Sequence, residues 1–107
     1  MSTRANIFIR NNYDDREKEI IYHHCDGYPE GVGKTLRSIL WKLSEEKNIV
    51  MNKQELAKFI CDKDPEFHIT TPCIAADAEY IYEINLSKRR VDWEHLYTGE
   101  MDWLCDF

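Results

Sequence analysis

The chain has 107 residues, of which 43% are apolar and 32% are charged. This length allows one domain spanning residues 1–107, and the apolar content is too high for intrinsic disorder. The chain contains no run of about 18 apolar residues that could span a membrane and no long apolar stretch at its start that would act as a secretory signal, so we expect a cytoplasmic domain. Its 20 acidic and 14 basic side chains give a net charge of −6, which argues against binding to the phosphates of nucleic acids.

Two strands are predicted in the first part of the chain. Residues Ala5 to Arg10 alternate in hydropathy, with Ile7 and Ile9 on one face and Phe8 on the other, as in a half-buried strand. Residues Glu19 to Cys25 are rich in β-branched and aromatic side chains and form the second strand. The short polar link between the two predicts that they pair as an antiparallel hairpin.

A glycine-rich turn and two helices follow. Residues 26–33 contain three glycines and a proline, which is typical of a tight turn. Apolar residues then recur on one helical stripe, which consists of Val32, Leu36, Ile39, Leu40 and Leu43. Trp41 falls at the edge or outside of this stripe. A second helix is predicted to start at Asn52, whose side chain can cap it while Glu55 reaches back, and to end before Pro65.

The remaining chain is predicted to form two more strands. After an irregular stretch, Glu79 to Leu86 alternate as a strand, and a turn connects them to a further strand over Val91 to Tyr97. At the end of the chain, the spacing of Met101, Leu104 and Phe107 indicates a helical turn. The order is therefore ββααββ, which predicts a single α+β domain with an antiparallel sheet and two helices packed on one face.

The negative charge is concentrated in the second half of the chain. Residues 1–53 have a net charge of +1 and residues 54–107 a net charge of −7, and no lysine or arginine follows Arg90. This acidic region contains the aromatic residues Trp93, Tyr97, Trp103 and Phe107. Exposed aromatic side chains among acidic ones are typical of protein-binding surfaces, so we predict that these four contact a partner protein. The alternative is that Trp93 and Trp103 close the open side of the sheet.

The cysteines predict neither a disulfide framework nor a metal site. The four cysteines, Cys25, Cys61, Cys73 and Cys105, are widely spaced. The close-spaced ligand pairs of a zinc site are therefore missing. The adjacent His23 and His24 point to opposite faces if they lie on a strand and cannot easily share one metal ion. We expect no metal or other cofactor, and we expect reduced cysteines in a cytoplasmic chain.

The turn matches a phosphate-binding P-loop only in part. Gly33, Lys34 and Thr35 open a helix after a strand, but the first glycine of the pattern G-x-x-x-x-G-K-[ST] should occupy position 28, which is Tyr28. Pro29 also removes one N–H donor from the loop. Nucleotide hydrolysis of this kind is therefore not expected. An anion could still bind at the helix N-terminus beside Lys34.

A second set of candidate residues at this turn consists of Tyr22, His24, Asp26, Tyr28 and Lys34. Tyr22 and His24 share a strand face, and Asp26 begins the turn just beyond them. A histidine beside a carboxylate can act as an acid or a base near neutral pH, although a nucleophile such as Thr35 or Cys25 would be needed. The alternative is structural: Asp26 bonds to backbone N–H groups of the turn, and His24 is buried and hydrogen-bonded.

The pattern Y-x-H-x-D-G-Y-P-x-G, from Tyr22 to Gly31, resembles a family of small uncharacterised proteins from bacteriophages, prophages and bacteria. In that family an arginine-containing strand precedes the turn and an amphipathic helix follows it. The resemblance covers about residues 4–43, and a later strand over residues 77–86 also fits. It implies a viral or mobile-element origin without a particular activity or catalytic residues, and it favours an accessory or host-directed function.

These features favour a non-enzymatic protein-interaction module, for example an inhibitor of a host factor, that uses the acidic aromatic surface. The lack of a complete catalytic set supports this interpretation. The alternatives are a small-ligand or nucleotide-binding protein with its site at the turn DGYPEGVGK, and a small hydrolase that uses His24 and Asp26.

Overall fold

The computed structural model describes residues 3–45, 52–70 and 78–107. The elements in chain order are β1 (Ala5–Arg10), β2 (Glu19–His23), a π-helical turn (Pro29–Gly33), α1 (Lys34–Glu45), α2 (Lys53–Lys63), β3 (Phe67–Ile69), β4 (Tyr80–Asn85), β5 (Arg90–His95) and β6 (Met101–Asp106). None of the helices within these three ranges is long and apolar enough to cross a membrane.

The six strands form one mixed sheet in the order β3-β2-β1-β4-β5-β6. β1 pairs in parallel with β4, and the other neighbouring pairs of this sheet are antiparallel. The α+β class and the β1–β2 hairpin are thus confirmed, but the predicted all-antiparallel sheet is wrong. Hydropathy alternation identifies a strand but does not show which other strand it pairs with. A hairpin is marked by a short turn in the sequence, whereas a parallel pair of strands far apart in the chain has no such mark.

The predicted order ββααββ omits two strands. β3 is an edge strand of only three residues, which is too short to show alternation. The chain from Met101 forms β6 rather than the predicted helical turn, and a bulge at Val91 and Asp92 shifts its pairing with β5. Because of this shift, the neighbours Leu104 and Cys105 are both buried. Two consecutive buried residues break the two-residue period of a strand, so the pattern resembles helical spacing.

Both helices pack on one side of the sheet, which we call the covered face. The predicted α1 stripe is buried, and its residues share one core with Leu56, Ala57 and Ile60 of α2 and with Ile7 and Ile9 of β1. Residues that alternate with these core positions, such as Phe8 of β1 and Glu83 of β4, lie on the opposite side, the open face. Trp41 is 61% exposed outside the α1 stripe, as predicted.

The boundaries of α2 agree with the predicted capping residues. Asn52 Oδ1 accepts a hydrogen bond from the Glu55 N–H at 2.8 Å, and the Glu55 carboxylate accepts one from the Asn52 amide at 3.2 Å. The first bond satisfies a backbone N–H that the first helical turn leaves without an intrahelical partner, and the second joins the two side chains to each other. The helix ends at Lys63, before Pro65.

A buried lysine attaches the connection between β1 and β2 to α2. Lys53 is 8% exposed; its Nζ lies 2.8 Å from Asp15 Oδ2 and donates a further hydrogen bond to the Glu17 carbonyl. Arg10 also donates to the Asp15 carbonyl, at 2.8 Å. A buried ammonium group is tolerated only with such partners, so the ion pair holds this connection against the start of α2.

Asp15 makes the stability of the fold sensitive to acid. Its carboxylate accepts hydrogen bonds from the Asn11 N–H, from Lys53 and from the Glu17 N–H, which lower its pKa from 3.8 to about 2. Because the pKa is lower in the folded chain than in the unfolded chain, the stabilisation is present above about pH 4 and is lost as the pH falls through about 2. We expect Asp15→Asn to lower the free energy of unfolding near neutral pH and to flatten its decrease between about pH 4 and pH 2.

Urea denaturation followed by circular dichroism across this pH range measures the effect. The exposed neighbour Asp14 provides the control, because Asp14→Asn removes the same charge one position away and leaves the Asp15–Lys53 ion pair intact. An equal effect of the two substitutions would contradict the role of the Asp15–Lys53 pair.

Candidate functional site

The turn after β2 is held by hydrogen bonds to other parts of the fold. The Gly27 N–H donates to the Thr3 carbonyl at 2.8 Å, and the buried Tyr82 hydroxyl of β4 donates to the Gly27 carbonyl at 2.6 Å. The Val32 N–H donates to the carbonyl of Asp26, which has a left-handed φ of 55°. A Cβ on Gly27 would lie 2.9 Å from the Thr3 carbonyl oxygen, so this close approach requires glycine. The turn is therefore a firmly held connection between β2 and α1.

The predicted turn residues form two separate side-chain pairs. The Tyr22 hydroxyl lies 2.9 Å from His24 Nδ1, whereas the Tyr28 hydroxyl donates to Asp26 Oδ1 at 3.0 Å. The hydrogen bond to Asp26 and its negative charge raise the pKa of Tyr28. His24 is exposed, whereas the structural alternative expected it to be buried. His24 and Asp26 thus each have a tyrosine partner.

Asp26 and Lys34 line a small pocket of about 240 Å³ at the start of α1. Its titratable lining residues are His23, Asp26, Glu30, Lys34, Asp64 and Glu66. Three backbone donors near this pocket are already used, because the N–H groups of Gly31, Val32 and Lys34 donate to the carbonyls of Tyr28, Asp26 and Gly31. With four carboxylates and one ammonium group around it, this pocket favours a cation rather than an anion.

The thiol nearest the turn is a poor nucleophile. Burial, followed by the charge of Glu66, raises the pKa of Cys25, and burial likewise raises the pKa of Cys61 and of Cys105. A thiol with a raised pKa stays protonated near neutral pH. All three cysteines are free, and Cys73 lies outside the described residues. The raised pKa of Cys25 therefore does not favour the hydrolase hypothesis with Cys25 as nucleophile.

The open face of the sheet carries a larger groove, of about 690 Å³, over β4, β5 and β6. It is lined by Arg10, Tyr13, Ile81, Glu83, Arg90, Asp92, Trp93, Glu94, Met101, Asp102 and Trp103, and we call this set the acidic groove. Strand pairing explains its composition. Asp92 lies opposite Trp103, and Glu94 lies opposite Met101, so that acidic and apolar side chains are direct neighbours.

Apolar side chains form the β6 side of the acidic groove. Met101 is 68% exposed and Trp103 is 50% exposed. Trp103 Nε1–H donates to Asp106 Oδ1 at 3.1 Å, which fixes the orientation of the indole. An oriented and half-exposed tryptophan is a favourable contact for a partner, because little side-chain entropy is lost on binding.

The charges of the acidic groove are partly compensated within it. Arg10 Nε lies 3.0 Å from Glu83 Oε2, and Arg90 lies 2.9 Å from Asp92. The hydrogen bond to Asp92 raises the pKa of the Arg90 guanidinium. The lining contains four carboxylates and two guanidinium groups, so an excess of negative charge remains. The groove therefore attracts a cationic group.

The four predicted partner-contact residues have different surroundings. Trp93 and Trp103 both border the acidic groove, but Trp93 is partly buried against the core, with its ring centroid 6.0 Å from that of Tyr80. Tyr97 is 74% exposed in the turn between β5 and β6, and Phe107 is partly buried against the core. Among these four residues, Tyr97 and Trp103 are thus the most exposed.

Sequence reasoning missed Arg10, Glu83 and Met101 as residues of the groove. Arg10 and Glu83 lie on strands that meet only through the parallel β1–β4 pairing, so no local pattern connects them. Met101 carried a usable signal, because on a strand it shares a face with Trp103 two residues later. The helical turn predicted for this segment places the two residues on different faces instead.

Comparison of the chain with protein-family models, with curated proteins and with solved structures finds no match.

Tyr82 connects the sheet to the turn, and the loss of its hydroxyl should be measurable. Tyr82→Phe leaves the Gly27 carbonyl without this buried donor, which we expect to lower the free energy of unfolding by about 1–2 kcal/mol in urea denaturation. Tyr97→Phe, at an exposed position, should change it by less than about 0.5 kcal/mol. Equal losses in the two variants would contradict this role of the hydroxyl.

Proposed function

We propose that this protein is a small, non-enzymatic interaction module that binds a basic segment of a partner protein in the acidic groove. In this proposal it is a cytoplasmic accessory protein of phage or mobile-element type, and inhibition of a host factor is one form that its function takes. The observation that supports the proposal is the groove itself, an exposed concavity on the open face with excess carboxylates beside an oriented Trp103.

The chemistry of the acidic groove suits an arginine or lysine side chain. A guanidinium group can bond to a carboxylate through two N–H groups and can stack on an indole face. The protein's own Arg10 and Arg90 already pair with Glu83 and Asp92 in this way. Asp92 lies opposite Trp103 in the β5–β6 pairing, so a cation in the groove meets a carboxylate beside an aromatic ring.

Two further observations support a non-enzymatic protein of a reducing compartment. The side chains suggested for acid–base chemistry, His24 and Asp26, are each hydrogen-bonded to a neighbouring tyrosine. Among the described residues, Cys25, Cys61 and Cys105 are free thiols, which is typical of proteins kept under reducing conditions.

Fluorescence anisotropy with a labelled arginine-rich peptide tests the proposal. The wild-type protein should bind this peptide more weakly as the salt concentration rises, because the attraction between exposed charges is screened. Trp103→Ala should weaken binding by about tenfold or more, since it removes the central aromatic contact without changing the charge.

Trp41→Ala is the matched control, because it removes a tryptophan of similar exposure from α1, outside the groove lining. It should leave the affinity for the peptide unchanged, and a glutamate-rich peptide of the same length should not bind. Equal losses in the Trp41 and Trp103 variants, or no binding at low salt, would refute a specific groove.

A further inference from the structure

Three side chains with metal-binding atoms converge where β2 ends. His23 is the last residue of β2, Cys25 follows it by two positions, and Glu66 immediately precedes β3, which pairs with β2. One ligand atom from each residue lies within 4.8 Å of the others. Glu66 Oε2 lies 3.6 Å from His23 Nε2 and 3.6 Å from Cys25 Sγ.

These distances fit the ligands of one metal ion better than they fit a direct histidine–carboxylate hydrogen bond. A tetrahedral zinc ion with bonds of about 2.0–2.3 Å to nitrogen, oxygen and sulfur separates its ligand atoms by roughly 3.3–3.8 Å. The 3.6 Å from Glu66 Oε2 to His23 Nε2 lies in this range, and so does the 3.6 Å to Cys25 Sγ, over which the metal-free thiol donates a hydrogen bond to Glu66. An N–H···O hydrogen bond between His23 and Glu66 would require about 2.7–3.2 Å.

His23 is oriented for metal binding by the backbone beside it. Its Nδ1 is hydrogen-bonded to the Cys25 carbonyl, which can only accept, so Nδ1 carries a proton and, in the neutral ring that a metal requires, the Nε2 lone pair is directed towards Glu66. Imidazole ligands of metal ions are commonly held in this way. The ring is 5% exposed and packs against Phe67, with centroids 4.6 Å apart, so its position is fixed before a metal binds.

The surroundings supply negative charge and an accessible fourth position. The pocket of about 240 Å³ at the start of α1 borders His23 and Glu66, and the carboxylates of Asp26, Glu30 and Asp64 also line it. Excess negative charge raises the local concentration of cations. Three protein ligands next to an accessible pocket are the arrangement in which zinc retains a water molecule or another small ligand.

We propose that His23, Cys25 and Glu66 bind a zinc-class divalent cation, with water from the adjacent pocket as the fourth ligand. Imidazole, thiolate and carboxylate together suit Zn²⁺ or Co²⁺, whereas Mg²⁺ and Ca²⁺ take oxygen ligands. Binding converts the Cys25 thiol to a thiolate and releases its proton to solvent, so affinity increases with pH. The site shares no residue with the acidic groove and is independent of the function proposed there.

Cobalt and zinc titrations of the full chain test the site. After treatment with chelator and reductant, Co²⁺ should produce a sulfur-to-cobalt charge-transfer absorption that saturates at about one equivalent and disappears when Zn²⁺ displaces the cobalt. Cys25→Ser should abolish this absorption. Glu66→Gln alters a side chain that is 65% exposed and should weaken zinc binding in calorimetry by about tenfold or more.

Cys61→Ser and His68→Gln are the matched controls, because they alter a free cysteine and an exposed histidine outside the cluster. Both variants should keep the charge-transfer absorption and the zinc affinity of the wild type, and circular dichroism verifies that each variant is folded. An undiminished absorption in Cys25→Ser, no absorption in the wild type, or unchanged zinc affinity in Glu66→Gln overturns the proposal.

Discussion

The parallel pairing of β1 with β4 is the interaction on which the rest of the structure depends. β1 lies between β2 and β4, so it joins the N-terminal elements to the antiparallel β4–β5–β6 unit. On the covered face it places Ile7 opposite Tyr82 and Ile9 opposite Ile84, and all four side chains are fully buried. Without this pairing, β1 and β4 would each present an unpaired edge, and the apolar residues of the two halves would no longer share one core.

The same pairing determines where the turn and the acidic groove lie. On the covered face, the Tyr82 hydroxyl reaches the Gly27 carbonyl, so the turn that precedes α1 is attached to the C-terminal strands. On the open face, Glu83 of β4 meets Arg10 of β1. Four of the 12 carboxylates in residues 54–107 line the groove. Part of the charge asymmetry of the chain thus becomes a localised surface, which supports electrostatic attraction of a basic partner more than evenly spread charge would.

Patterns that are local in the sequence predicted their elements well. The apolar stripe of α1, the Asn52 cap and the end of α2 before Pro65 each depend on residues within a few positions of one another, and all three are confirmed. β6 shows the limit of such patterns, because a bulge buries the neighbours Leu104 and Cys105 and conceals the strand period. The parallel pairing, the three-residue β3 and the Arg10–Glu83 contact depend on segments that meet only in the folded chain, so periodicity alone could not predict them.

The alternation of side chains along β2 explains why His23 and His24, at the end of this strand, lie in different surroundings. The sequence predicts that His23 and His24 face opposite sides, and the first is buried whereas the second is exposed. Cys25, two residues after His23, lies on the same side as His23, and a search for C-x-x-C pairs does not detect this H-x-C spacing. Glu66 lies close to both residues only because β3 pairs with β2. A cation at this position links Glu66 to the chain just before Gly27, whose carbonyl is bonded to Tyr82 of β4. Metal binding at the proposed site would therefore stabilise the chain between β2 and the turn, while the groove on the open face shares none of these residues.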